Sequence, residues 1–288
     1  MTTERAIATV AVVGAGVIGR GVAQNLAASG HETLLLDVSA DVLTSALAQI
    51  RRDLRFARFH STPVEDDAAV LARIRATTEI DALADADFVV ENVVEDSDVK
   101  EQLYARLDEV CRADVVFAAN TSCIPVTRLA ARTSRPDRVL GIHFMNPVPL
   151  TTTVEMIRGW QTSDETLDRA RSLLTAMGKS AVLVQDSPGF VSNRVLMLAV
   201  NEAAYLVQER VADPAAIDEI FRNCFGHKMG MLETADLIGI DTVLRSIEIL
   251  HEEFGDSKYR PCPLLRRMVE AGHLGRKSGQ GFHTYRRS

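Results

Sequence analysis

Between Gly141 and Glu155 the chain reads GIHFMNPVPLTTTVE, with His143 at the end of one apolar run (Val139 to Ile142) and Glu155 inside the next (Val154 to Ile157). The intervening Asn146-Pro147-Val148-Pro149 cannot be helical, because each proline lacks a donor and pushes the residue before it out of the α region. Adjacent strands joined by such a turn bring His143 and Glu155 face to face. A carboxylate behind an imidazole fixes its tautomer and stabilises the imidazolium, which is the arrangement of a general base. A lone His–Glu pair is more often a satisfied core histidine beside a surface glutamate, so the rest of the chain has to decide between the two.

The elements around this pair form a pattern. Ala6 to Val13 is a β-branched run, and Gly14-Ala15-Gly16-Val17-Ile18-Gly19 then opens a helix with Ile18, Val22 and Leu26 on one face and Gly30 at its end. A second strand, Thr33 to Leu36, ends in Asp37. GxGxxG between a strand and a helix is the context of a dinucleotide site. The glycines let the backbone approach a pyrophosphate at the helix N-terminus, where free N–H groups favour anions. Asp37 would accept hydrogen bonds from the adenosine ribose, and its charge would repel a 2′-phosphate, favouring NAD over NADP. Phe88 to Val94 is predicted as a strand ending in Glu95, Val115 to Ala119 as one ending in Asn120-Thr121-Ser122, and Val139 to Phe144 as one carrying His143. Ligands sit beyond the carboxyl ends of strands in open α/β sheets, so Asp37, Glu95, Ser122 and His143 converge on one site.

Other segments complete the frame. Asp41 to Arg58 is helical; its Arg51, Arg52, Arg55 and Arg58 form either a solvated face or a contact for a phosphorylated substrate. Pro63 interrupts, and a short helix through Val70, Leu71 and Ile74 follows. A helix over Thr162 to Met177 and a strand over Ala181 to Val184 precede Asp186-Ser187-Pro188-Gly189, where the character changes. Beyond it the pattern is helical: Phe190 to Gln208 with Asn193 near its start, one helix capped by Asp213 before Pro214, one capped by Asp241, and a last one over Leu264 to Val269. The expected architecture is α/β, a Rossmann-type, mostly parallel sheet over residues 1–187 followed by an all-α domain over 188–288. The helical half would complete its core against the first domain or a second copy.

Composition excludes several classes. A chain of 288 residues with 47% hydrophobic and 25% charged residues is globular, and a net charge of −7 without a basic stripe argues against nucleic acid and anionic membranes. Cys111, Cys123, Cys224 and Cys262 are scattered without metal-ligand spacing, so no metal site is expected and they read as reduced thiols of a cytoplasmic protein. The first residues lack the charged region of a signal peptide, and no apolar run is long enough for a membrane span.

GAGVIGRGVA, VVENVVED, ANTSC, GIHFMNPVP, DSPGFVSNR and LGRKSGQGF, in this order and spacing, resemble the L-3-hydroxyacyl-CoA dehydrogenases over essentially the full length. The resemblance implies His143 as catalytic base, Glu155 as its partner, and Ser122 and Asn193 as groups holding the substrate's reacting oxygen. It places Glu95, Lys100, Ser122, Asn146 and Lys277 against NAD, and it implies a homodimer through the helical domain. Several positions depart from the family pattern. Thr151-Thr152-Thr153 stands where Met, a basic residue and Leu are usual, and Lys228-Met229-Gly230-Met231 replaces a PMGP segment. Asp53 and His60 stand where a serine and a lysine grip the coenzyme A nucleotide. Two thioester handles therefore compete: coenzyme A, as in 3-hydroxybutyryl-CoA, and an acyl carrier protein bearing a small polar group such as glyceryl, as in polyketide extender-unit synthesis. A free hydroxy acid substrate, and a non-catalytic NAD-binding role, are the remaining readings.

Overall fold

The computed structural model describes residues 6–60 and 66–285. Contacts divide the chain into two compact units, residues 1–186 and 187–288.

The first unit is built on one eight-stranded sheet: β1 (Thr9–Val13), β2 (Glu32–Leu36), β3 (Ile74–Thr77), β4 (Phe88–Glu91), β5 (Val116–Ala119), β6 (Val139–His143), β7 (Thr153–Arg158) and β8 (Ser180–Gln185). Their order is β3-β2-β1-β4-β5-β6-β7-β8. The first six are parallel, in the order of doubly wound dinucleotide-binding sheets. Helices α1 (Val17–Ala28), α2 (Ala40–His60), α3 (Asp67–Ala72), α4 (Ser97–Val110), α5 (Val126–Ala130) and α6 (Asp164–Ala176) connect them. Strands β4, β5 and β6 are buried along their whole length, as uniformly apolar runs between two helical layers must be. The segment from Phe144 to Thr152 is too short for a crossover, so β7 returns antiparallel to β6, and His143 lies directly opposite Glu155.

Three expectations are corrected. Ile74 does not continue a helix: α3 stops at Ala72, and Ile74 opens the edge strand β3 beside β2. A four-residue strand, Ile74-Arg75-Ala76-Thr77, carries too few periods to separate the two states. Glu95 does not end a strand; β4 stops at Glu91, and Glu95 sits four residues on, in the loop before α4. Asp241 does not cap its helix, because Gly239 takes that position with φ 105°, and the Asp241 carboxylate binds Lys277 instead. Pro63 and the side chains of Arg58 and His60 lie outside the described residues.

The second unit holds α7 (Ser192–Gln208), α8 (Pro214–Phe225), α9 (Met231–Ile238), α10 (Ile240–Phe254) and α11 (Pro263–Glu270). Asp213 caps α8 by accepting from the Ala216 amide, with Pro214 at the first helical position. Two fully buried aspartates tie the unit together. Asp218 accepts from the amides of Leu232 and Glu233, and Asp236 from those of Phe282 and His283 and from the Tyr285 hydroxyl. Burial, with the Asp236 carboxylate beside it, pushes the Tyr285 phenol up to about 12. The terminal GRKSGQGF segment is thereby tied to α9, with Gly275 and Gly281 buried and Phe282 packed against the core.

Among the described residues no helix is long and apolar enough to cross a membrane, and no cluster of three His, Cys, Asp or Glu could hold a metal. Cys111, Cys123 and Cys262 are buried and Cys224 is exposed. Burial also raises the Cys111 thiol to about 11 and shifts that of Cys262 upward. Since the thiolate is the nucleophile, iodoacetamide at mildly alkaline pH is expected to label Cys224 and spare the other three in native protein. Peptide mass mapping checks this; labelling of Cys111 ahead of Cys224 would contradict the packing.

Candidate active site

The glycine turn is set by steric necessity. Gly14 has φ +94°, and a Cβ there would come within 2.7 Å of the Asn92 carbonyl. A Cβ on Gly19 would lie 1.8 Å from the Gly14 carbonyl oxygen, so the helix can begin this close to the strand end only with glycine. Gly16 differs. It is the N-cap of α1, and a Cβ on it would meet nothing within 4 Å, so its backbone faces open space. Asp37 braces the turn, its Oδ2 accepting from the Ala15 amide at 2.8 Å and its Oδ1 from the Ser39 amide at 3.1 Å.

Two cavities open at this edge of the sheet. One of about 440 Å³ is lined by Gly14, Gly16, Leu36, Asp37 and Val38 together with Asn92 and Val93. The other, about 280 Å³, shares Gly16, Asn92 and Val93 and continues to Glu95, Asn120, Ser122 and His143. A third, about 430 Å³, lies across Val17 between α1, α2 and the loop after β6, and is lined by Arg20, Asp53, Phe56 and residues 146–150.

Behind the wall of the middle cavity, Ser122 and His143 continue to Glu155 as a chain of three side chains. Glu155 Oε2 lies 2.9 Å from His143 Nδ1, and His143 Nε2 lies 3.2 Å from Ser122 Oγ. With Nδ1 protonated toward the carboxylate, Nε2 is the basic nitrogen that faces the serine and the cavity. Removing the Glu155 charge by Glu155→Gln takes away a charge-assisted bond worth about 1.5–3 kcal/mol to the protonated ring. The expected loss is roughly 10- to 150-fold in kcat, with little change in NAD affinity. Steady-state rates with a parallel NAD titration check it, and an unaltered kcat would remove Glu155 from the mechanism.

Glu95 holds the serine. Its Oε1 accepts from Thr121 Oγ1 at 2.6 Å and from the amides of Ser122 and Cys123 at 2.8 and 2.9 Å. Asn120 links the layers, donating to Asn92 Oδ1 and accepting from the Phe144 amide. Lys100 lies beneath this surface, fully buried, 2.6 Å from Glu91 Oε1 and donating to the Asn120 carbonyl. Burial raises the Glu91 carboxyl, with the Lys100 charge opposing that shift. Its ammonium also donates to the Val93 carbonyl and lies 4.0 Å from Glu95 Oε2, both residues of the cavity lining.

Residues 9–187 match the family model of the 3-hydroxyacyl-CoA dehydrogenase NAD binding domain, and residues 189–285 match that of the C-terminal domain. The chain belongs to the 3-hydroxyacyl-CoA dehydrogenase family. It is 46% identical over 283 residues to a 3-hydroxybutyryl-CoA dehydrogenase of Bradyrhizobium diazoefficiens, covering 97% of this chain and 96% of that one. Its counterpart in Clostridioides difficile is 39% identical over 276 residues, covering 96% and 98% of the two chains. The crystal structure of (S)-3-hydroxybutyryl-CoA dehydrogenase from Ralstonia eutropha superposes with a TM-score of 0.92 at 42% identity, covering 98% of this chain and all of that one.

Of the residues that the 3-hydroxyacyl-CoA dehydrogenase resemblance marks, Ser122, His143, Glu95 and the glycine turn line the two adjoining cavities, and Glu155 stands behind His143. Asn146 does not line them; it borders the third cavity, in a cis peptide bond to Pro147. Asn193 is the second residue of α7, and Lys277 pairs with Asp241 at 2.6 Å, both within the second unit. Sequence reasoning placed Asn120 at a strand end but not its bond to Asn92 on the neighbouring one, and it did not single out Lys179, whose ammonium holds the loop after β6. Their partners are 28 and 31 residues away, so no local spacing could have marked them.

Proposed function

We propose that the protein is an NAD-dependent oxidoreductase that interconverts a short-chain 3-hydroxyacyl thioester and its 3-oxoacyl form. The observation that carries this reading is the Glu155–His143–Ser122 chain, opening onto a cavity continuous with the glycine turn.

The residues suit NAD. The open backbone of Gly16 at the start of α1 offers free amides to a pyrophosphate, and Asp37 on the adjoining cavity offers a carboxylate to ribose hydroxyls while repelling a 2′-phosphate. Bound there, NAD supplies the hydride acceptor. Everything else falls to the chain's own side chains. His143 takes the hydroxyl proton at Nε2, and Glu155 stabilises the resulting imidazolium through Nδ1–H. The Ser122 hydroxyl donates to the oxygen that becomes the carbonyl, with Asn193 assigned a second donor role and Glu95 holding the Ser122 amide in place. Residues 1–187 thus serve as the NAD-binding domain. The helical 188–288 serves substrate binding and homodimerisation, which the exposed Val195, Ile220 and Phe225 support.

The third cavity suits the thioester arm, with Pro147, Val148, Pro149 and Phe56 as apolar walls. Asp53 on the same cavity supports a second reading. A carboxylate where the family sets a phosphate-facing serine disfavours the coenzyme A nucleotide and favours an acyl carrier protein bearing a small polar group such as glyceryl. Following NADH formation with 3-hydroxybutyryl-CoA and with a glyceryl-loaded carrier protein separates the two handles. Turnover of neither, with NAD still binding, would sink the thioester reading and leave a free hydroxy acid substrate or a non-catalytic role.

A further inference from the structure

Lys179 is a buried cation that the chemistry above leaves unused. It is 6% exposed, and among the described residues no carboxylate opposes the effect of its burial. Its Nζ donates to the carbonyls of Val148, at 2.6 Å, and Thr151, at 2.7 Å. Holding an ammonium away from water against neutral acceptors is costly, and the burial pulls its pKa down. An uncharged side chain would avoid that cost, so the charge is spent on something particular. Both acceptors belong to the one loop between β6 and β7, and the ammonium ties that loop at two points three residues apart. The same loop also rests on α1 at Gly21, where a Cβ would come within 3.0 Å of Val148 Cβ. Val148, 1% exposed, is therefore gripped between a glycine and a buried cation. Its neighbours Pro147, Pro149 and Leu150 form one wall of the 430 Å³ cavity, facing Arg20, Asp53 and Phe56 of α1 and α2.

We propose that Lys179 is a specificity-determining positioning residue: by holding the Val148 and Thr151 carbonyls it sets the width of the slot between the 147–150 wall and α1–α2, and so which thioester arm enters. This rests on the thioester reading above. Lys179 touches neither substrate nor cofactor; it acts through the loop backbone.

The test compares wild type with Lys179→Met, Lys179→Arg and Gly21→Ala, using 3-hydroxybutyryl-CoA and the glyceryl-loaded carrier protein as probes. Lys179→Met is expected to raise KM for the thioester by about tenfold or more while kcat stays within about threefold, because a wall displaced by a fraction of an ångström misplaces the arm and not the base. Lys179→Arg is expected to restore most of the KM, since a guanidinium can still donate to two carbonyls. Gly21→Ala, pressing directly on Val148 of the same wall, is expected to give the same KM signature. A lowered melting temperature with unchanged KM would mean that Lys179 merely stabilises the fold, and a fall in kcat at constant KM would place its effect on the His143–Glu155 hairpin; either overturns the proposal. Should Lys179→Met fail to fold, Gly21→Ala and Lys179→Arg decide it, an unshifted KM in Gly21→Ala refuting the slot. Wild-type inactivity on both thioesters would refute the parent reading itself, whereas an active wild type with unmoved variants refutes the role of Lys179 alone.

Discussion

His143→Ala is expected to lower kcat by roughly 10²- to 10⁴-fold, the usual contribution of a positioned general base, while the NAD dissociation constant changes by no more than about twofold. The asymmetry follows from the geometry. The imidazole sits at the far end of the middle cavity, between Ser122 and Glu155, whereas the backbone turn and carboxylate proposed to hold NAD sit at Gly14 to Gly19 and Asp37. Removing the ring leaves Glu155 without its partner on Nδ1 but disturbs nothing at the glycine turn. Initial rates with the preferred thioester, combined with calorimetric NAD titration, read the two effects separately. Retention of more than about a tenth of wild-type kcat would show that water or another group takes the proton. A parallel collapse of NAD affinity would place His143 in cofactor binding.

The second large effect is expected at Gly19. Its Cβ would lie 1.8 Å from the Gly14 carbonyl oxygen and 3.3 Å from Asn92 Cβ, so the overlap is with backbone and no rotamer relieves it. Gly19→Ala has to move the strand–helix turn itself, and Gly14 is already confined by the Asn92 carbonyl. NAD affinity is expected to fall by about 100-fold or more, equivalent to at least ~2.7 kcal/mol, together with a lower melting temperature. Gly16→Ala is the informative companion. With open space around it and φ −64°, it costs little in folding but puts a methyl group into the space both cavities share. It is expected to weaken NAD with the melting temperature nearly unchanged. Wild-type NAD affinity in Gly19→Ala would refute the reading of this turn as the pyrophosphate cradle.

How much of this was legible in the residues depends on the distance over which each constraint acts. Ser122, His143 and Glu155 were marked because each closes or lies in an apolar run whose neighbours alternate predictably, and the proline-bearing turn forced β7 back beside β6. Glu95 was recognised as a site residue, yet its place was misread as a strand end because VVENVV stays apolar past Glu91, where the ladder stops. Lys100 pairs with Glu91 and donates to the Asn120 carbonyl, contacts that only the assembled strand ends create. Edge strand β3 escaped because four residues beside a short helix carry no decisive period.

The chain's own order of residues determined whatever rests on local backbone limits. Those are the glycine turn that only hydrogen side chains permit, the reversal at Asn146 to Pro149, the proline-started helix at Asp213, and the switch from sheet to helices near residue 187. Beyond the His143–Glu155 pair, tertiary structure decided which polar atoms meet. Glu95 gathers three donors from a turn some 26 to 28 residues away, and Lys179 ties carbonyls 31 and 28 residues before it. A dihedral restriction is carried by one or two residues and is therefore written in place. A buried hydrogen bond exists only after the sheet has brought distant strand ends together, so its members are named by the fold.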